Sequence, residues 1–305
     1  MADTSCMSYE NALELFNTLK DYIDNHSGGE KEKISTKTKM NTSNKIFVYK
    51  VWKGLTSIDG DDVWTDEENI YYSNNTDQYI LDKSTSKWGT MIWKGLTSFH
   101  GNYIWTDGEN IYFSNNSKQY VLDKSTTTWN VMTWNGLTSF NGQYIWTDGE
   151  NIYYSKNSDQ YVLDKSTSTW NTKTWSGLTN FNGDSVWTDG ENIYFSNDSK
   201  QYVLDKSTST WNTKTWKGLT SIDGNDVWTD GSNIYCSYVS YHPSTGMRGF
   251  HWVLDKATST WNENIFDYSH KFYGSSVWTD GENIYYSLSS DQYIIKPIIP
   301  SVKCR

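Results

Sequence analysis

Tryptophan recurs in this chain at a fixed interval, and that interval constrains the fold more than any other feature. Sixteen of the 17 tryptophans fall into three registers with a step of 41 residues, lengthened once to 50. The registers are Trp64, Trp105, Trp146, Trp187, Trp228, Trp278; Trp52, Trp93, Trp134, Trp175, Trp216, with Phe266 in sixth place; and Trp88, Trp129, Trp170, Trp211, Trp261. Such a period predicts one supersecondary unit repeated six times.

Each unit contains four short segments with strand character. In residues 144–175 we predict strands at 144–147, 151–155, 160–164 and 170–175. The Asp148–Gly149 pair between the first two predicts a tight hairpin in which both residues have positive φ. Four antiparallel strands per 41 residues are typical of a propeller blade, whereas a solenoid would need polar capping repeats that this chain does not show. The predicted fold is therefore an all-β, six-bladed β-propeller.

The two ends of the repeat region predict how the ring closes. The sixth unit ends near Lys296 without a fourth strand, and an apolar segment at 45–52 precedes the first complete unit. Phe47 stands 41 residues before Trp88, in the tryptophan position of an outer strand. We expect this N-terminal strand to pair beside Tyr293 and complete the last blade, which would remove the open sheet edges.

Two segments of the unit resemble kelch repeats. DGENIYYS (148–155) is similar to the kelch "NGK-I-Y" segment, and YVLDKSTSTW (161–170) is similar to the kelch "YDPETNTW" segment. The step of six residues from Asp164 to Trp170 is the same. The paired glycines that follow the second strand in kelch repeats are replaced here by Asn-rich loops. The resemblance spans 45–296 and implies a propeller fold.

The residues before the propeller predict a short helical arm. Apolar residues at helical spacing between 9 and 24 indicate an amphipathic helix within 1–29, followed by a polar linker at 30–44. A tail at 297–305 follows the propeller. The apolar face comprises Leu15, Phe16, Leu19, Tyr22 and Ile23. This face is expected either to pack on the propeller or to dock a partner or a second copy.

The segment ALELFNTLKDYIDNH (12–26) also resembles the N-terminal attachment segments of bacteriophage virion proteins. The resemblance implies that the arm anchors an appendage to other virion proteins, and that the protein is located in the virion.

Charge and composition exclude several classes of function. The formal net charge is −10 and the two arginines are Arg248 and Arg305, so a nucleic-acid partner is not expected. The three cysteines are far apart and predict neither a disulfide framework nor a metal site. The sequence has no apolar run of membrane-spanning length and no signal-peptide pattern, so we expect a soluble protein without a cofactor.

Candidate binding residues lie in the irregular parts of the repeat. The fifth unit has nine extra residues, which predict a long loop between its second and third strands. Its candidate ligand-binding residues are Tyr238, Tyr241, His242, Arg248, Phe250 and His251. The linkers between blades should open on the same face, and they vary in polar character at His100, Asn102, Gln143, Asp184 and Asn225. The alternative is neutral variation on a solvated surface.

The repeated WTDG aspartates are expected to be structural. They are Asp66, Asp107, Asp148, Asp189, Asp230 and Asp280. An aspartate at a hairpin corner bonds its own backbone, which we prefer to an acid–base or metal role. In the first unit Glu67 replaces the turn glycine, which predicts mild strain.

The chain shows no recognised catalytic arrangement, and we expect a non-enzymatic interaction protein. A sialidase-like site would need clustered arginines, and a copper radical site would need ligands from several blades. Two hypotheses remain. One is a virion appendage of head or tail whose propeller binds a host-surface glycan or protein. The other is a free lectin-like or protein-binding propeller.

Overall fold

The computed structural model describes residues 45–242, 246–263 and 273–297. They belong to one compact unit, Ser43–Pro297. Within these ranges 24 strands form six separate four-stranded antiparallel sheets, which confirms the predicted six-bladed propeller. The predicted helical arm, the linker at 30–44 and Phe266 lie outside the described residues.

The first three blades follow one another along the chain. Blade 1 comprises β2 (Val63–Thr65), β3 (Ile70–Asn74), β4 (Asp77–Asp82) and β5 (Lys87–Thr90). Blade 2 comprises β6 (Ile104–Thr106), β7 (Ile111–Asn115), β8 (Lys118–Asp123) and β9 (Thr128–Val131). Blade 3 comprises β10 (Ile145–Thr147), β11 (Ile152–Lys156), β12 (Asp159–Asp164) and β13 (Thr169–Thr172).

The last blade differs from the others in using both ends of the propeller. Blade 4 comprises β14 (Val186–Thr188), β15 (Ile193–Asn197), β16 (Lys200–Asp205) and β17 (Thr210–Thr213). Blade 5 comprises β18 (Val227–Thr229), β19 (Ile234–His242), β20 (Gly246–Asp255) and β21 (Thr260–Glu263). Blade 6 comprises β22 (Val277–Thr279), β23 (Ile284–Leu288), β24 (Asp291–Pro297) and, as its outer strand, β1 (Lys45–Tyr49).

The predicted closure of the ring is confirmed. β1 pairs antiparallel with β24, with Phe47 opposite Ile295 and Tyr49 opposite Tyr293. Blade 6 is also bonded to the chain that enters blade 1, because Gln292 Nε2 donates to the Ile58 carbonyl at 3.0 Å. The ring is therefore closed by a strand ladder and by side-chain bonds.

Tryptophan fills the seams between neighbouring blades. Between blades 3 and 4, Trp146 stacks on Tyr153 with ring centroids 4.4 Å apart, and Trp175 and Trp211 pack against it. Trp146 Nε1 donates to Ser155 Oγ at 2.9 Å, so the indole nitrogen is satisfied inside the seam. Each fully buried indole contributes on the order of 4–6 kcal/mol of hydrophobic stabilisation. The repeat spacing records one such seam per blade.

The outer strand is shorter than predicted. In blade 3 it ends at Thr172, although we expected it to continue to Trp175. Lys173 makes one further backbone bond, to Gln160 at 2.8 Å, before the chain turns inward. The chain must leave the rim there to reach the axis at the next blade, and Trp175 is buried in the seam on the way.

The first hairpin of each blade also differs from the prediction. In blade 3 the loop has four residues, Asp148 to Asn151, because Thr147 pairs with Ile152. Gly149 has a φ of +89°, whereas Asp148 is not among the residues with positive φ, so the expected two-residue turn is wrong. Glu67 takes the glycine position in blade 1 with a φ of +79°, as the predicted strain requires.

The propeller has two faces with different loops. The hairpin loops between second and third strands meet the linkers between blades: Phe181 N donates to the Asn157 carbonyl at 3.1 Å. We call this side the upper face. The WTDG turns and the loops between third and fourth strands share the opposite side, where Lys124 Nζ of blade 2 donates to the Asp66 carbonyl of blade 1 at 2.9 Å. We call this the lower face.

Candidate binding site at the channel mouth

A three-residue 3₁₀ turn precedes the inner strand of every blade. The turns are Gly60–Asp62, Gly101–Tyr103, Gly142–Tyr144, Gly183–Ser185, Gly224–Asp226 and Gly274–Ser276. They contact one another in a closed ring around the axis on the upper face. Glycine is needed because a Cβ on Gly183 would lie 2.1 Å from the Tyr144 carbonyl oxygen of the preceding turn. The same approach joins Gly60 to Ser276 across the closure of the ring.

The middle residue of every turn lines a single cavity of about 730 Å³ at the mouth of the central channel. These residues are Asp61, Asn102, Gln143, Asp184, Asn225 and Ser275. Below them lie Val186, Val227 and Val277, and then Thr229 and Thr279. The inner strands alternate, so valine and threonine face the channel while tryptophan between them faces a seam. The volume is that of a small-molecule site.

Four of the sequence-predicted candidates therefore meet in one place. Asn102, Gln143, Asp184 and Asn225 come from four different blades and all line the cavity. Asp61 and Ser275 were not among the predicted candidates, yet they occupy the same repeat position. The repeat register is the signal that identifies them.

His100 lies on the upper face, one residue before a 3₁₀ turn, and is not among the residues that line the cavity. Its Nδ1 is 3.5 Å from Asp62 Oδ1, and its ring contacts Tyr103. The structure therefore places His100 beside the mouth, as a neighbour of a buried carboxylate.

Carboxylates at the mouth are held in an environment that disfavours their charge. Desolvation, followed by the charges of Asp62 and Asp59, raises the pKa of Asp61 to about 6, although a hydrogen bond with Ser276 opposes the shift. Desolvation, followed by the charge of Asp223, raises the pKa of Asp226 to about 7, and the charge of Asp61 adds to this shift. The mouth therefore concentrates unfavourable negative charge.

The same environment extends to blade 4. Desolvation, followed by the charge of Asp223, raises the pKa of Asp184. Blades 2, 3 and 6 contribute Asn102, Gln143 and Ser275 at the equivalent position. The described residues that line the cavity thus include two carboxylates and no lysine, arginine or histidine.

The nine extra residues of blade 5 form a longer hairpin, whereas we predicted a loop. β19 and β20 have 9 and 10 residues, against 5 and 6 for the equivalent strands of blade 4, and residues 243–245 at the tip lie outside the described ranges. Pairing continues from Tyr238 opposite Phe250 to His242 opposite Gly246. Four added pairs extend the hairpin by roughly 13 Å on the upper face.

The predicted binding residues of this hairpin lie apart from the cavity. Tyr238 stacks on Phe250 with centroids 5.4 Å apart. Arg248 is half-buried and pairs with Ser240 across the strands. Tyr241 and His242 are placed in β19 only through their backbone. Among the described residues, none from this hairpin lines the channel mouth.

His251 is buried, although we predicted it on a surface loop. It is 2% exposed and pairs with Ser237, the position that glutamine occupies in the other blades, as Gln160 does opposite Ser155. Ser237 accepts a hydrogen bond from Trp228 Nε1 at 2.8 Å. His251 therefore belongs to the interior of blade 5.

The repeated turn aspartates have the structural role that we predicted. Asp148 Oδ1 accepts hydrogen bonds from the backbone of Glu150 and Asn151, at 3.0 and 2.7 Å. Its Oδ2 accepts a hydrogen bond from the Tyr153 hydroxyl at 3.0 Å. Both carboxylate oxygens are thus bonded within the hairpin.

Two general properties follow for the part of the chain that the structure describes. No group of three His, Cys, Asp or Glu side chains in these ranges is arranged to hold a metal ion. Within the same ranges, no helix combines the length and apolarity needed to cross a bilayer.

Comparison with known proteins identifies the fold. No protein-family model matches the sequence, and no curated protein matches it. Among solved structures, YjhT superposes with a TM-score of 0.55 and 11% identity, over 80% of this chain and 94% of that one. The likeness is in fold alone.

Two weaker likenesses involve longer or unrelated assemblies. The extracellular domain of the "putative hybrid two component system BT4673" from B. thetaiotaomicron gives a TM-score of 0.48 at 11% identity, over 77% of this chain and 33% of that one. This chain thus spans about one third of that domain. Hydrazine synthase of Kuenenia stuttgartiensis gives 0.42 at 13% identity, over 77% and 74% of the two chains.

Proposed function

We propose that this protein is a non-enzymatic binding module whose ligand occupies the channel mouth. One observation carries the proposal: six side chains from six blades meet around one cavity, and they are chemically unlike although the repeats around them are nearly identical. Structure alone would allow one residue to recur at this position, as tryptophan and the turn aspartate do. Difference at a shared position produces an asymmetric surface suited to one ligand.

The chemistry of the lining supports binding of a polar ligand. Asn102, Gln143 and Asn225 present amides, which both donate and accept hydrogen bonds. Hydroxyl-rich molecules such as glycans require such mixed partners. The described lining residues include no histidine or cysteine and so offer no imidazole base or thiol nucleophile.

Asparagine replacement on two surfaces tests the proposal. Asn102→Ala removes an amide from the mouth, and Asn130→Ala removes an exposed amide from the outer strand of blade 2. Once a glycan array yields a ligand, we expect Asn102→Ala and Gln143→Ala to weaken binding about tenfold, measured by calorimetry. Asn130→Ala should bind like the parent. Equal affinity in all variants would place the ligand elsewhere and reject the proposal.

Within this function, we favour a kelch-like propeller carried on a phage virion. The resemblance of residues 12–26 to phage attachment segments supports this assignment, with the face that includes Leu15, Phe16 and Leu19 docking on a virion protein or a second copy. Removal of residues 1–44 is expected to abolish incorporation into particles while ligand binding persists. Particles that still incorporate the shortened protein would contradict the virion assignment.

A free lectin-like module is the second candidate. The amide and carboxylate side chains at the mouth favour it, because they suit sugar hydroxyls. In that case the shortened protein binds its glycan and the full chain is absent from particles. A glycan array without any signal would count against the lectin and leave a protein ligand for the virion appendage.

A further inference from the structure

The cavity at the mouth is layered. Its upper layer is polar and includes Asp61 and Asp184, its middle layer is the aliphatic ring that includes Val186 and Val227, and threonine hydroxyls lie below. A ligand that fills it therefore meets charge at one level and apolar surface at the next. This layering fits a molecule with a polar head and a short aliphatic or ring-like body.

The upper layer specifies the sign of that head. Asp61 and Asp184 bring two carboxylates to the lining, and the described lining residues bring no positive charge. Asp226 lies close enough to Asp61 for the two charges to repel each other. Carboxylates removed from water without a cationic partner are unfavourable, so a positively charged ligand would relieve the repulsion.

A bare metal ion does not satisfy this arrangement. Calcium and magnesium require several oxygen ligands around one point. In the described ranges no three acidic, histidine or cysteine side chains converge in that way, and the middle layer is aliphatic. An organic cation needs only one or two carboxylates and gains from contact between its carbon atoms and the valines.

We propose that the channel mouth recognises a primary ammonium group attached to a short aliphatic or hydroxylated body, with Asp61 and Asp184 as the residues that select the charge. This inference rests on the proposed function, because it assigns a ligand class to the same cavity. The amides of Asn102 and Gln143 contact the neutral part of the ligand.

Three probes of equal chain length test the charge preference: 6-aminohexan-1-ol, hexane-1,6-diol and 6-hydroxyhexanoate. Affinities are measured by calorimetry or NMR titration on the full chain at about pH 8, where Asp61, with a pKa of about 6, is ionised. The amine should bind about tenfold more tightly than the diol, because one charge-assisted hydrogen bond has that worth. The hydroxy acid should bind more weakly than the diol.

Variants assign the preference to residues. Asp61→Asn and Asp184→Asn should each reduce the ratio of amine to diol affinity about fivefold, while diol affinity stays unchanged. Asp159→Asn makes the same change in net charge on an exposed residue of the upper face that does not line the cavity, and it should leave the ratio unaltered. Urea unfolding of each variant establishes that it is folded.

The outcomes separate this inference from the proposed function. Equal affinity for amine and diol, or no binding of any probe at tens of millimolar, overturns the ammonium preference. The proposed function then still stands or falls on the Asn102→Ala and Gln143→Ala results with the array ligand. An amine preference that Asp159→Asn reduces as much as Asp61→Asn would show general surface attraction, and it too would overturn the inference.

Discussion

The two faces of the propeller carry aspartates at repeated positions with opposite electrostatic behaviour. On the lower face the pKa is lowered for Asp107, Asp148, Asp189 and Asp280. On the upper face the pKa is raised for Asp61, Asp62, Asp184, Asp223 and Asp226. One residue type thus contributes in two ways within one repeat architecture.

Hydrogen bonding explains the difference. Desolvation is the largest single effect on Asp148 and would raise its pKa, but the backbone bonds from Asn151 and Glu150 and the Tyr153 hydroxyl together lower it. Asp226 has one opposing backbone bond, at Gly274, and faces other carboxylates. Lower-face charge is part of the turn, whereas upper-face charge is retained against the fold's preference, which is typical of binding sites.

The largest expected effect compares two glycines. Gly183→Ala on the upper face places a Cβ 2.1 Å from the Tyr144 carbonyl oxygen, so we expect the free energy of unfolding to fall by about 3 kcal/mol. Gly149→Ala on the lower face meets nothing within 4 Å and is opposed only by its φ of +89°, which predicts a loss of about 1 kcal/mol. Urea unfolding measures both. Equal losses would contradict the close packing of the 3₁₀ turns.

The next effect compares two aspartates. Asp148→Asn weakens bonds to two backbone N–H groups and the Tyr153 hydroxyl, which predicts a loss of about 1–2 kcal/mol in the free energy of unfolding. Asp184→Asn removes the same charge from the mouth and should change stability by no more than about 0.5 kcal/mol at neutral pH, towards greater stability. A larger loss from Asp184→Asn would end the distinction between the faces.

A smaller effect tests the one irregular lower-face turn. Glu67 holds a φ of +79° where Gly108 of blade 2 holds +88°. Glu67→Gly should therefore raise the free energy of unfolding by about 1 kcal/mol, and Gly108→Glu should lower it by a similar amount. Thermal or urea unfolding of both variants checks the pair. An unstable Glu67→Gly protein would mean that the glutamate side chain contributes to the turn.

The smallest effect is a pH dependence with opposite contributions from the two faces. Raised carboxyl groups stabilise the fold in acid, and that contribution is lost as pH rises through about 6 for Asp61 and about 7 for Asp226. Lowered groups such as Asp148 stabilise above the ordinary value of 3.8, and that contribution is lost as pH falls. The urea midpoint should therefore be higher at about pH 5 than at about pH 8.

Asp226→Asn isolates the upper-face part of this pH dependence. Asp61, Asp223 and the backbone at Gly274 face this carboxyl group, and the substitution removes its titration without changing its size. The difference between the midpoints at the two pH values should shrink in the variant. An unchanged difference would assign the pH dependence to groups elsewhere in the chain.

The sequence allowed prediction of the blades because each one depends on a large side chain at a fixed place. Trp146 and Trp211 fill the same seam, so their spacing is a direct record of how blades stack. Phe47 lies in the tryptophan register of an outer strand, and that was enough to predict the closing strand. Period and aromatic burial therefore determine the architecture.

The site was predicted only in part, because its geometry depends on turns rather than on periodicity. The linker residues varied visibly, but the approach of Gly183 to the Tyr144 carbonyl, which forms the ring of turns, has no local signal. His251 looked like part of a polar loop, and only the pairing with Ser237 places it inside. The alternation in β19 was too weak to distinguish a longer strand from a loop.

The clasp between β1 and β24 also determines how the propeller responds to tension. Lys45 pairs with Pro297 at one end of the ladder, and Tyr49 pairs with Tyr293 at the other, from where the chain continues into blade 1. A pull transmitted through residue 44 therefore loads the Lys45 pair first and peels the strand away one backbone pair at a time. The ring would open at this point under a low force, before any tryptophan seam is stretched.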